Sequence, residues 1–222
     1  MKKTSAPPSE IACEELQATC TAAGCPLPED ALPRLKEYLE LLMRWNRVMN
    51  LVGARHWRDA LKNLIMDSFV LARFLERLSL PEDAASWDLG AGAGLPGIPL
   101  RMVWHRGRYT LVEAREKRAL FLSTVLARLG LEDTDVFRGR AEAFFVREAE
   151  RPAHLVLSRA FLPWREVLAL IEPAVRPDAV AVFLTLEPAP HTLPSGWRCE
   201  ATHTYAAGGG ARYFWALRRC GA

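Results

Sequence analysis

Residues 88–100 read DLGAGAGLPGIPL. Gly90, Gly92 and Gly94 alternate with alanines directly after an apolar, acid-tipped segment, and Pro96 and Pro99 follow. Glycine packs nothing and gives up more backbone entropy than any other residue. Such a cluster therefore marks either a conformation closed to side chains or the close approach of another molecule. An ordinary tight turn would satisfy the first alternative, so the flanking elements must decide.

From residue 84 onward, short apolar runs alternate with longer helical patterns. The runs are ASWDLG, RYTLVEA, DTDVFRG, AHLVLSRA and DAVAVFLTLE, and REKRALFLSTVLARLGL represents the helical stretches. Strand and helix in regular succession predict a mostly parallel sheet covered on both faces. WRCEATHTY and ARYFWALRRC are joined by AAGGG with no room for a helix, which predicts an antiparallel hairpin at one edge. The expected fold class is α/β, with a Rossmann-like seven-stranded sheet.

Upstream the pattern is helical. The first ten residues read as a frayed tail, followed by a helix over 11–24. A second helix begins after Pro28, with Leu32, Leu35, Leu39, Leu42 and Trp45 on one apolar face. A third spans 57–78, with Leu61, Ile65, Ser68, Leu71 and Leu75 at similar spacing, and Pro81 closes the block. Residues 1–82 are thus expected to form an N-terminal helical cap, and 83–222 the Rossmann-like core.

Composition sets outer limits. A chain of 222 residues, half hydrophobic and one quarter charged, can bury a full core. Its net charge of +3 permits an acidic partner without identifying one. Cys13, Cys20, Cys25, Cys199 and Cys220 contain no CxxC pair, and their odd number argues against a disulfide framework. Cys20 and Cys25 are close enough for a metal or redox site, but the reading is scattered free thiols and no metal. MKKTSAPPSE is followed by no apolar signal segment, and no run of about 18 apolar residues occurs. The expectation is a soluble cytoplasmic protein without membrane contact.

The glycine stretch now has a place. Ala84 to Asp88 is the first strand, the glycines form the turn, and Pro96 suits the first turn of the next helix. Ligands of such sheets bind beyond the carboxyl ends of the strands, where strand order reverses. Gly92, Gly94 and Gly97 formally satisfy the dinucleotide pattern, with Glu113 about 20 residues on. The fuller pattern from Asp88 through Gly94, acid-x-Gly-x-Gly-x-Gly, is the first motif of S-adenosylmethionine methyltransferases. A dinucleotide enzyme would need a further catalytic domain, and only a short edge remains after the fifth strand. Methyltransferase is the stronger reading. Glu113, closing the second strand, is placed to accept both ribose hydroxyls of the cofactor.

The segment after the fourth strand bears on the methyl acceptor. It reads Ser158-Arg159-Ala160-Phe161, with neither the Asn/Asp-Pro-Pro-aromatic tetrad of amine methylation nor the cysteine of pyrimidine C5 methylation. Guanine N7 needs neither device, because it carries an exposed lone pair and no proton, so orientation supplies most of the catalysis. Between 101 and 118 stand Arg101, Arg106, Arg108, Arg115, Lys117 and Arg118. The last three open a helix at the cofactor end and are candidates for phosphate contacts. The competing reading is a solvated helix face. Trp45 and Trp57 are possible stacking platforms, although helical spacing favours the core for Trp45.

Over residues 35–190 the sequence resembles the bacterial small-subunit ribosomal RNA guanine-N7 methyltransferases, the glucose-inhibited division protein B family. The signposts are WNRVMNLVGAR, MDS at 66–68, DLGAGAGLPGIPL, EAREKRALFL, GRAEAF and SRAF. The resemblance implies a class I methyltransferase fold, S-adenosyl-L-methionine as cofactor, and transfer to N7 of a guanine in 16S ribosomal RNA; the expected partner is that RNA or the small subunit, and the expected state a monomer. It implies cofactor contacts at Gly90, Gly92, Gly94, Leu95, Glu113, Ala141 and Glu142, with Arg159 beside cofactor and base. A structural ion pair is the competing role for Arg159. The chain departs from the family pattern at Asn63-Leu64 (usually Arg-His), at Val52 (usually Thr) and at Glu187-Pro188 (often Lys-Gly). Those departures keep in view a methyltransferase-like RNA- or ribosome-binding scaffold without catalysis; a small-molecule methyltransferase, which would label metabolites and not RNA, is a further alternative.

Overall fold

The computed structural model describes residues 11–221, so the expectation of a frayed tail over 1–10 lies outside the described residues. Seven strands form one sheet: β1 (Ser86–Leu89), β2 (Tyr109–Glu113), β3 (Thr134–Arg138), β4 (Leu155–Arg159), β5 (Val180–Thr185), β6 (Trp197–Ala207) and β7 (Gly210–Arg219), in the order β3-β2-β1-β4-β5-β7-β6. The first five pair in parallel, with Asp88 opposite Leu111 on one side and Leu157 on the other. β7 runs antiparallel to β5, and β6 folds onto β7 as the expected hairpin. Gly208 and Gly209 at its tip have φ of 59° and 81°, the two left-handed residues a tight hairpin turn requires. β1 starts at Ser86, later than expected, because the Ala85 N–H is taken by His154 Nδ1.

Helices cover both faces. α5 (Gly97–Arg101) and α6 (Glu116–Leu129) share one apolar core with Leu111, Leu157 and Val182 of the sheet. α7 (Ala141–Arg147) and α8 (Trp164–Ile171) pack on the other face against Trp87, Val156 and Phe183. Strand order reverses between β1 and β4, so the glycine turn after β1 and the SRAF segment after β4 are neighbours.

The N-terminal helices are α1 (Cys13–Ala22), α2 (Ala31–Met49), α3 (Trp57–Ala60) and α4 (Met66–Leu75). They belong to the same core as α5 and α6. The single helix expected over 57–78 is interrupted by a π-helical turn at Leu61–Ile65, where Met66 N–H bonds Leu61 O. A residue inserted into the helical ladder leaves apolar spacing nearly intact, so periodicity does not reveal it; such turns are frequent at functional sites. Trp57 is buried core, and half-buried Trp45 packs on Phe121 at 5.6 Å, so neither is a free stacking platform.

Asn46 holds the segment after α2. Its amide donates to Ala54 O and its carbonyl accepts from Val52 N, both at 2.8 Å. All five cysteines are free. Burial pushes the Cys20 thiol up to about 11, so it stays protonated, and no metal-binding cluster occurs among the described residues. No helix among them is long and apolar enough to cross a membrane.

The basic run of 101–118 divides. Arg101 is buried and donates to Thr134 Oγ1 and to the carbonyls of Trp104, Arg106, Gly107 and Glu132. Arg106 pairs with Glu76 and Glu82, and Arg108 with Asp135 and Glu148. These three arginines serve the structure at the far end of β2. Removing Arg101 as Arg101→Ala strands several buried acceptors and is expected to lower unfolding free energy by roughly 3 kcal/mol or more in urea titrations. Arg138→Ala, which breaks only an exposed pair with Glu116, should change it by less than about 0.5 kcal/mol.

Candidate functional site

The glycine turn is left-handed three times over, with φ of 70° at Gly90, 59° at Gly92 and 82° at Gly94. The Gly90 and Ala91 N–H groups both bond Val112 O, at 2.9 and 3.1 Å, which folds the turn across the tip of β2. A side chain at Gly94 would overlap Ile98, and a Cβ at Gly97 would stand 2.5 Å from Asp88 Oδ2. Pro96 is the residue before α5 and Pro99 lies in its first turn, one residue later than expected for the helix start. Leu95 is half-buried against the core.

Three side chains fix this turn. Tyr38 of α2, itself buried, donates to Ala93 O at 2.8 Å. Asp88 lies beneath, its Oδ2 accepting from Gly97 N at 3.1 Å and from the Tyr109 hydroxyl at 3.2 Å. Burial pushes the Asp88 carboxyl up to about 7, against the opposing pull of the Tyr109 and Gly97 hydrogen bonds and the Arg159 charge. Glu113 closes the side: Oε2 accepts from Gly92 N at 3.0 Å and Oε1 from Arg115 N at 2.7 Å.

These residues fit an adenosine-bearing cofactor. An added Cβ at Gly92 meets nothing nearer than 3.7 Å, so that surface of the turn is bare backbone. Each Glu113 oxygen accepts one backbone N–H and keeps capacity for a hydroxyl donor. Gly139 N bonds Glu113 O at 3.1 Å and brings the start of α7 alongside, with Ala141 buried and Glu142 exposed. Gly90, Gly92, Gly94, Leu95, Glu113, Ala141 and Glu142 are therefore gathered at one end of the sheet. Arg115 and Lys117 are exposed at the start of α6, and Arg118 Nη1 lies beside Gly92.

Arg159 makes the ion pair that its competing reading anticipated. Its Nη2 pairs with Asp67 Oδ2 at 3.0 Å, its Nη1 donates to Leu64 O at 3.0 Å, and Asp67 Oδ1 accepts from the Tyr205 hydroxyl at 2.8 Å. Leu64 lies within the π-helical turn. Burial and the adjacent Asp67 charge hold the Tyr205 hydroxyl protonated. Ala160 takes a left-handed φ of 51°, and Phe161 turns back over Gly90, its ring 2.5 Å from where a Cβ would stand.

Beyond this junction is a cavity of about 460 Å³ at the tips of β4 and β5, bordered by Ser158, Arg159, Trp164, Thr185, Glu187 and Arg212. Sequence reasoning missed Tyr38 and Tyr205 and gave Asp67 no role. Tyr38 follows Leu35 by three residues on the buried face, a findable signal. Tyr205 meets Asp67 across 138 residues, which no local pattern encodes.

Asp88 gives this arrangement a pH signature. In the unfolded chain the carboxyl titrates near 3.8, whereas in the folded chain it is pushed to about 7. Between those values the folded protein binds the extra proton, so this group's contribution to stability falls as pH rises and is fully lost above the folded value. Asp88→Asn keeps an acceptor for Gly97 and Tyr109 without the charge. In urea titrations the variant should gain stability relative to the parent from about pH 4 to about pH 7 and no further above that. A constant difference would refute the assignment.

Comparison with known proteins agrees with this geometry. The family described as rRNA small subunit methyltransferase G (GidB) matches residues 31–187. A protein named ribosomal RNA small subunit methyltransferase G from Nitratidesulfovibrio vulgaris (strain DP4) is 53% identical over 209 residues, covering 94% of this chain and 95% of its own. One of the same name from Lawsonia intracellularis is 46% identical over 205 residues, covering 92% and 94%. Among solved structures, an O-methyltransferase from Bacillus cereus in complex with SAH superposes with TM-score 0.59 at 13% identity, over 94% of this chain and 100% of that one. A putative O-methyltransferase from Klebsiella pneumoniae gives TM-score 0.59 at 15% identity, over 94% and 97%. The fold is that of class I S-adenosylmethionine-dependent methyltransferases, and the chain belongs to the rRNA small subunit methyltransferase G family.

Proposed function

We propose that this protein transfers the methyl group of S-adenosyl-L-methionine to N7 of a guanine in 16S ribosomal RNA, acting as a monomer on that RNA or on the small ribosomal subunit. The observation that carries the choice of acceptor is the chemistry of the cavity after β4. Among the described residues, its border holds no cysteine, histidine or lysine, and its buried carboxylate, Asp67, is committed to Arg159 and Tyr205. No thiol is present to form a covalent adduct, and the one unpaired carboxylate on that border among the described residues is the exposed Glu187. An acceptor that is already nucleophilic, as N7 is, needs neither a covalent adduct nor a base.

When bound, the cofactor supplies a methyl group made electrophilic by the sulfonium. The chain's own work is binding and orientation. Glu113 accepts from the ribose hydroxyls, the bare backbone at Gly92 admits the cofactor closely in a turn that Gly90 and Gly94 shape, and Ala141 and Glu142 border the adenine. Arg159, held by Asp67 and Leu64 O, positions the wall between cofactor and base. Arg115, Lys117 and Arg118 supply cations for RNA phosphates at the same end of the sheet, which makes binding weaken steeply with salt. In this reading residues 1–82 are the cap that backs the glycine turn, and 83–222 the catalytic core.

The test is transfer of label from methyl-radiolabelled S-adenosylmethionine to ribosomal RNA from cells lacking this protein, with borohydride and aniline cleavage to map N7-methylguanine. The parent protein should label one site in the RNA and no metabolites. Glu113→Ala should weaken cofactor binding in calorimetry by about tenfold or more, because a charge-assisted bond to the ribose is lost. Arg159→Ala should lower transfer by a similar factor while leaving a folded protein. Undiminished labelling by Arg159→Ala would reduce that residue to a structural tie.

A further inference from the structure

We infer that Trp164 and Glu187 form the guanine-recognition site of the acceptor cavity, Trp164 as the stacking surface and Glu187 as the reader of the base. The inference rests on the guanine-N7 reading above and names residues that reading does not use. Both side chains border the same cavity of about 460 Å³, within the roughly 300–1,000 Å³ typical of small-molecule sites.

Trp164 is half-buried and held from two sides. The Arg165 guanidinium lies 4.3 Å from its ring centroid, and Trp215 meets it edge-on at 6.0 Å. An indole so fixed at a cavity border is a stacking platform that needs no rearrangement to receive a base. The backbone of Glu187 is equally fixed: its carbonyl accepts from Trp215 Nε1 at 2.9 Å and its N–H donates to Thr185 Oγ1 at 3.2 Å. The same Trp215 thus positions both members of the pair. The Glu187 side chain is exposed, and its carboxylate makes no ion pair or hydrogen bond among the described residues.

The chemistry of the base supplies the match. Guanine presents N7 and O6 as acceptors on one edge and N–H donors at N1 and N2 on the other. A carboxylate accepts two parallel N–H groups well. Adenine presents an acceptor at N1, which Glu187 would repel. Gripping guanine by its donor edge leaves N7 on the opposite edge, free for the methyl group. In the transfer, the N7 lone pair forms the new N–C bond while the S–C bond breaks and its electrons return to sulfur. No proton moves, and the positive charge passes from sulfur to the purine, which then stacks on Trp164 and faces Glu187 as a cation.

Tryptophan fluorescence titrations with guanosine, inosine and 7-methylguanosine monophosphates, each with S-adenosylhomocysteine present, test this directly. Inosine keeps N7 and N1–H but lacks the N2 amino group. Guanosine monophosphate should bind about tenfold more tightly than inosine monophosphate, and the 7-methyl form more tightly still. Glu187→Ala should abolish the guanosine preference. Trp164→Phe should preserve it while weakening both nucleotides and removing most of the quench. Both variants should lose about tenfold or more in kcat/KM for ribosomal RNA while binding S-adenosylmethionine normally in calorimetry. Equal binding of the two nucleotides by the parent protein, or a preference that survives Glu187→Ala, would overturn the assignment. A parent protein that labels no ribosomal RNA would overturn the underlying reading, and this inference with it, whatever the nucleotide data.

Discussion

A turn stripped of side chains has no packing of its own, and its shape must be imposed by groups outside it. In this protein that task falls to three acceptor–donor contacts at one strand tip. Tyr38 reaches Ala93 from the helical cap, Asp88 reaches Gly97 from below, and Glu113 reaches Gly92 from the neighbouring strand. The three supports come from α2, β1 and β2, so the bare surface keeps its form only when cap and sheet are assembled together. This also explains why the helices before residue 82 share an apolar core with the sheet. A separately folding cap could not hold Ala93 in place.

The carboxylates at the two strand tips do different work because their surroundings differ. Asp88 is enclosed, and burial raises its proton affinity despite its hydrogen bonds. It acts as an acceptor that pins the helix start. Glu113 is also buried, but each of its oxygens takes only one backbone N–H and keeps further acceptor capacity. Both belong to the sequence pattern that identifies the fold, yet the motif alone does not separate the acid enclosed in its strand from the acid proposed to hold the ribose. The register does, because Asp88 lies within the ladder of β1 and Glu113 at the end of β2.

Local patterns made much of this legible. The alternation of apolar runs and amphipathic stretches foretold five parallel strands with helices on both faces, and AAGGG foretold the edge hairpin. The glycine turn, Glu113 and the start of α7 could be grouped because each follows a strand, and parallel strands deliver their ends to one side. Contacts between distant segments were not legible. Arg159, Asp67 and Tyr205 lie in three separate elements, and Arg159 also donates to Leu64 O inside a π-helical turn that leaves apolar spacing nearly unchanged. Charge counting also misled, because Arg101, Arg106 and Arg108 look like part of a basic surface but are consumed by carbonyls and carboxylates at the opposite end of β2.

The two halves of the site are built on different supports, and this bears on how the chain can depart from its family. The cofactor half is over-determined: the turn, Asp88, Tyr109 and Glu113 interlock so tightly that a single Cβ at Gly94 or Gly97 has no room. The half proposed for the acceptor rests on one junction, Arg159 with Asp67, and on an aromatic wall whose polar members are held by backbone contacts. A side chain there can change sign without disturbing the fold, because its backbone neither knows nor needs the charge. Glu187 stands at such a position, with its main chain tied to Trp215 and Thr185 and its carboxylate exposed. Variation in what the protein recognises is therefore expected to concentrate on this side of the sheet, while the side that holds the methyl donor stays fixed by its own geometry.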